Sequence, residues 1–123
     1  MKYPLDDEKY NRDARSQRMT PVVPDGCYVY VRDIDGIIYV LSDGQHVHPR
    51  VLGGAKPATY AGDLTKRGIV ITDLTNLSGT FQFDDAAGLL AVAEALEAAG
   101  LIIQTGAVRL FSHTAHQRAQ ILR

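Results

Sequence analysis

The stretch between Asp85 and Gly100 carries the periodicity of an amphipathic helix, and β-rich runs flank it on both sides. Leu89, Val92, Ala93 and Leu96 fall at i, i+3, i+4 and i+7, an apolar stripe one helical face wide. Asp84 or Asp85 is placed to cap its start, because a carboxylate accepts from free backbone N–H groups and suits the positive end of the helix dipole. Glu94 and Glu97 point off the stripe, and Gly100 supplies the stop. Gly88 weakens the first turns by up to ~1 kcal/mol relative to Ala, so a neighbour is expected to pack close to it.

The flanking runs read as strands. Residues 28–32 and 37–41 are β-rich and joined by Asp33-Ile34-Asp35-Gly36, whose Asp-Gly step supplies the positive φ of a tight turn. Two further strands are expected at residues 58–64 and 69–74, with a short fifth at 80–83. After the helix, residues 101–104 and 107–111 read as a second hairpin around Thr105-Gly106. Ser112 is placed to cap a short C-terminal helix through Leu122, or that end frays. Strands followed by helix and hairpin indicate an α+β fold: a mainly antiparallel sheet of five to seven short strands with one central helix.

A chain of 123 residues fits one domain, and its 46% apolar share is enough for one core. Residues 1–24 read as a flexible polar leader. Charges of both signs alternate there, little is apolar, and Pro21 and Pro24 stop any helix. The folded domain is expected over residues 25–123. Thirteen basic against fourteen acidic residues give a net charge of −1, which argues against a dedicated nucleic-acid binder. No apolar run approaches the ~20 residues of a membrane-spanning helix. The N-terminus lacks the apolar core of a secretory signal. A single cysteine, Cys27, cannot form an internal disulfide, which suits a cytoplasmic setting, and its place in an apolar strand suggests a buried small hydrophobe.

Several residues invite a chemical reading. His46 and His48 share a face if extended, and His113 and His116 share one if helical, so with Asp63 or Asp73 they form a candidate metal set, though at no established zinc spacing. Gly53-Gly54-Ala55-Lys56 resembles a phosphate loop, but Lys56 is followed by Pro57 and a strand, so a shaped loop fits better. Ser78 lacks the Gly-x-Ser-x-Gly elbow, and a tight turn accounts for Asn76, Ser78 and Gly79.

Taken together, His48, Leu52, Gly53, Ala61-Gly62-Asp63, Ile71, Leu74, Asn76, Ser78-Gly79 and Phe81 resemble a motif region of bacterial polymorphic-toxin and effector C-terminal domains. The same stretch is similar to a region of the plant IQ-motif calmodulin-binding proteins. It covers residues 48–81, about a quarter of the chain. Pro49-Arg50 and Thr80-Phe81 depart from the small hydroxyl residues and the His-Tyr step usual there. The resemblance implies a setting, a small cytoplasmic bacterial domain of the conflict or effector type, rather than a reaction.

Two readings of these residues stand side by side. In the first, His48, Asp63, Asn76 and Ser78 line a pocket beside Gly53, Gly54, Gly62 and Gly79; His48 is its acid or base, Asp63 orients it, and Arg50 and Lys56 receive an anionic group. In the second, the same polar groups satisfy one another inside the fold. The first makes the chain an effector acting on or binding a small ligand. A rival is a non-catalytic module that docks on a protein partner, and a third possibility is a metal protein using the histidines. No cofactor is called for.

Overall fold

The first hairpin closes on the side chain of Asp33, whose carboxylate accepts backbone N–H groups from Asp35 at 3.0 Å and from Ile37 at 2.9 Å. Gly36 completes it with a φ of 82°, a conformation that L side chains rarely adopt. The computed structural model describes residues 12–42, 48–53, 56–78, 81, 83–112 and 119–123, with Pro49 and Arg50 described by backbone alone. In chain order its elements are β1 (Gln17–Arg18), β2 (Gly26–Arg32), β3 (Ile38–Ser42), α1 (His48–Leu52), β4 (Tyr60–Arg67), β5 (Val70–Thr75), α2 (Ala86–Ala98), β6 (Ile102–Ile103), β7 (Val108–Leu110) and β8 (Gln120–Ile121). The strands form one sheet in the order β1-β3-β2-β4-β5-β7-β8, with β6 also on β5. Every pairing is antiparallel except those of β5 with β6 and β7. The fold is therefore α+β, with the mainly antiparallel sheet expected.

Register assigns the two faces, because residues directly opposite one another in a ladder project to the same side. Tyr30 lies opposite Val40 and Gly62, and Tyr28 opposite Leu64. That face takes α2: the Tyr60 hydroxyl donates to Asp85 O at 2.9 Å, and Gly88 lies so close to the Tyr60 ring that a Cβ there would meet it at 2.5 Å. The expected close neighbour of Gly88 is thus Tyr60. Val29 and Val31 lie opposite Asp63 and Ala61 on the other face, which takes α1. With cover on both sides, Tyr28, Val29, Tyr30 and Val31 are all buried, which is why β2 shows an unbroken apolar run.

The helix follows its sequence signals closely. Asp85 is the N-cap and accepts from Gly88 N at 2.8 Å. At the other end Gly100, with φ 99°, donates to Glu97 O at 3.0 Å, and Leu101 N reaches Leu96 O at 3.1 Å. That pair of bonds is the Schellman arrangement, and Leu96 and Leu101 are both buried beside it.

Other expectations are corrected. The hairpin at Thr105-Gly106 does not form: β6 and β7 run parallel to β5 one after the other along the same side of it, and β8 pairs beyond β7. The turn chemistry was sound, since Gly106 has φ 80° and Ala107 N reaches Gln104 O at 3.0 Å. However, α2 delivers the chain to the free edge of β5, and the turn only loops residues out before pairing resumes. Phe81 and Phe83 are buried but lie outside any strand, while Thr80 and Gln82 fall outside the described residues. A helix through Leu122 is excluded by β8, and residues 113–118 lie outside the described residues. The second half of the leader belongs to the fold, because β1 pairs with β3 and Met19 and Val23 enter the core. Cys27 is exposed rather than buried.

Two core phenols tie these layers to pH. Burial raises the Tyr30 hydroxyl well above its ordinary value, reinforced by Tyr60 and Asp63. Burial likewise raises Tyr60, with Asp85 and Asp84 adding to it. Unfolded phenols ionise near ~10, so this stability is whole below that pH and is lost as pH climbs towards the folded-state values. Each phenol should contribute a loss of about 1.4 kcal/mol per pH unit above pH ~10. Denaturant titrations from pH 9 to 11 should show a steeper decline for the natural chain than for the double variant Tyr30→Phe/Tyr60→Phe.

Candidate functional site

Gly62 sits where the chain leaving β5 crosses β4. A Cβ on Gly62 would lie 1.9 Å from Thr75 O and 2.9 Å from Asn76 Cα, so only a residue without a side chain permits the crossing. The Tyr30 hydroxyl donates to that same Thr75 O at 2.6 Å from within the core. Thr75 Oγ1 accepts from Asp63 N at 3.3 Å and Leu77 N at 3.2 Å, which fixes both strands at the crossing.

Asn76 follows, fully buried. Its Nδ2 donates to Phe83 O and to Phe111 O, each at 2.7 Å, and its Oδ1 accepts from Phe111 N at 2.7 Å. One side chain thereby clasps the segment entering α2 to the strand leaving it. Ser78 is also buried, and its Oγ accepts from Phe81 N at 3.0 Å in a local turn. Among the described residues no buried side-chain nitrogen or oxygen lacks a partner.

His48 opens α1 on the other face of the sheet. Its Nε2 lies 2.9 Å from Gly62 O, and a carbonyl oxygen only accepts, so Nε2 carries the proton. Asp63 Oδ1 lies 3.8 Å from the same nitrogen. The His48 side chain is 12% exposed against 37% for Asp63, so this pair is the part of the expected constellation that reaches solvent. Gly62 is the common neighbour: its carbonyl meets His48, and its open face meets Thr75 and Asn76. The four polar residues thus converge on one stretch of backbone, with Asn76 and Ser78 committed inside.

The glycine and basic positions separate further. Gly53, with φ 71°, packs against the backbone of Arg12, where a Cβ would meet Arg12 N at 2.3 Å. Gly54, Gly79 and the side chain of Arg50 lie outside the described residues. Lys56 is exposed and lines a cleft of about 250 Å³ at the far end of α1. Arg12, Tyr39 and Leu52 form its walls with the Asp33-Ile34-Asp35 turn. The Arg12 guanidinium lies over the Tyr39 ring at 5.2 Å and donates to Ser16 O at 3.3 Å. Ser16 in turn donates to Val51 O at 2.7 Å, which holds residues 12–16 against α1.

Nothing in the sequence joined these cleft residues. Arg12 read as leader and Asp33 to Asp35 as turn; the only shared signal was Lys56 beside two glycines. The metal reading loses Asp73, which Arg109 grips with two bonds of 2.8 and 3.0 Å. Among the described residues, no group of three His, Cys, Asp or Glu could hold a metal ion; His46, His113 and His116 lie outside those residues. Among the described residues, no helix is long and apolar enough to cross a membrane. No family model matches the chain, and neither does any curated protein or solved structure.

Asn76 gives the sharpest test of the structural role. Asn76→Ala removes the Asn76 partner from the buried Phe83 O and from the half-buried Phe111 O and N–H, at a cost of about 3 kcal/mol or more, which should lower Tm by more than ~10 °C. Asn76→Asp, of equal size, should be no better, because a carboxylate cannot donate to Phe83 O and Phe111 O. Thermal melts of both proteins check this.

Proposed function

We propose that this chain is a non-catalytic binding domain, of the conflict or effector setting that residues 48–81 suggest, holding its ligand in the cleft at the end of α1. The carrying observation is the contrast between two places. At Asn76 every polar atom is matched inside the protein, whereas Arg12 and Lys56 face an open concavity with no carboxylate at ion-pair distance among the described residues. Binding sites are concave and combine apolar walls with a few placed polar groups, a description the cleft fits and the Asn76 surroundings do not.

On this reading the pair of His48 and Asp63 is a clamp. It fastens the start of α1 to β4, and α1 forms one wall of the cleft. A catalytic His48 is the rival, and the two readings diverge on substitution. Glutamine keeps a donor for Gly62 O but cannot serve as an acid or base at neutral pH.

Amide-shift mapping with a small fragment library should therefore place most responses on Tyr39, Leu52, Lys56 and the 33–37 turn, in the natural protein and in His48→Gln alike. Responses centred on His48 and Asp63, lost in His48→Gln while Tm is unchanged, would overturn the binding reading in favour of a working imidazole.

A further inference from the structure

The cleft has a chemical polarity of its own. Its cationic wall consists of Arg12 and Lys56. The Arg12 guanidinium carbon lies 5.2 Å from the centroid of the Tyr39 ring, within cation–π range, and a guanidinium's planar set of N–H donors matches a carboxylate or phosphate. One of its N–H groups is taken by Ser16 O, which pins the fork without neutralising it. Lys56 adds a second charge from the following loop, where its backbone N–H is anchored to Gly53 O at 3.1 Å.

The remaining walls differ in kind. Leu52, Pro57 and Ile34 are apolar, and Ile34 is 62% exposed in a turn that has no packing need for it. The Asp33 carboxylate already accepts two backbone N–H groups with one oxygen, so much of its charge serves the turn. Asp35 stands beside it. These carboxylates repel an anion from the turn side and steer it towards Arg12 and Lys56. A volume of about 250 Å³ is below the ~300–1,000 Å³ typical of drug-sized ligands, so the occupant is about one ring in size.

Building on the binding reading above, we infer that the cleft receives a small organic anion, a carboxylate or phosphate carried on an apolar or aromatic body. The charged end meets Arg12 and Lys56, and the body lies against Tyr39, Leu52 and Pro57. A hydroxyl or amine on the far side of that body would find Asp35.

Titrations followed by amide shifts test this with four probes on the full chain: phenyl phosphate, benzoate, inorganic phosphate and benzylamine. Phenyl phosphate and benzoate should move Tyr39, Leu52 and Lys56 resonances and bind at least about fivefold more tightly than inorganic phosphate, because the ring buries apolar surface. Lys56→Gln and Arg12→Gln should each weaken phenyl phosphate about tenfold, the scale of one charge-assisted contact, with circular dichroism confirming that both variants remain folded. Tighter binding of benzylamine than of either aromatic anion would overturn the anion inference while leaving a functional cleft. If neither class shifts cleft resonances, both the inference and the binding reading beneath it fail.

Discussion

The crossing of the β5 exit over Gly62 is the contact on which the rest of the architecture depends. Thr75 O occupies the space that a Cβ on Gly62 would need, and the Tyr30 hydroxyl reaches the same oxygen from the core. A buried carbonyl without a partner costs about 1–3 kcal/mol, and the Tyr30 hydroxyl supplies Thr75 O with a donor at the crossing. Both requirements follow from register. Tyr30 and Gly62 lie opposite one another in β2 and β4, so a wholly buried tyrosine of β2 and the missing side chain of β4 share a face at one point. The ring fills the space beside the glycine, and the hydroxyl ends where the incoming backbone needs it.

That crossing sets the path of everything after it. Beyond Thr75, the last residue of β5, the chain turns through Ser78 and later enters α2, which packs against Tyr60 on the face that Gly62 shares. The helix then returns the chain to the free edge of β5, where β6 and β7 pair in parallel. Asn76 closes the circuit by binding the backbone on both sides of that excursion, at Phe83 and at Phe111. A buried side chain with two donors and an acceptor in fixed geometry is well suited to joining two segments 28 positions apart in a single arrangement. The polar residues that look like a catalytic set are, in this account, the fastening of a β-α-β excursion. The cleft proposed as the binding site lies on the opposite face, with Arg12, and Leu52 of α1, in its lining.

Local signals carried much of this. The Asp33 to Gly36 turn, the capped helix and the small residues at the Ala61-Gly62 step follow from steric and hydrogen-bonding rules that act within a few residues. The importance of Gly62, Asn76 and Ser78 was legible as a pattern, and so was the alternative that they satisfy one another. What was not legible depends on distant partners. Thr105-Gly106 has turn chemistry either way, and whether it makes a hairpin or a loop between two strands that both pair with β5 is decided by the edge that β5 offers. Arg12 looks like any charge in a polar leader, because the contact that gives it a role, Ser16 to Val51, joins positions 35 apart. Cys27 sits in an apolar run, yet its strand position leaves it exposed. Alternation predicts which residues share a face but not how far each face is covered.

The most direct measurement is the thermal stability of Gly62→Ala set beside Gly68→Ala. Gly68 has φ 61° with open space around it, so a methyl there meets only backbone strain of about 1–2 kcal/mol. At Gly62 the same methyl collides with a backbone oxygen that cannot move without breaking the crossing, and the loss should be at least ~4 kcal/mol. The account predicts that Gly62→Ala melts more than ~15 °C below the natural chain, or fails to fold, while Gly68→Ala loses less than half as much. A Gly62→Ala protein that melts within a few degrees of the natural one would show that the β5 exit does not need this approach, and the structural role assigned to the motif would be contradicted.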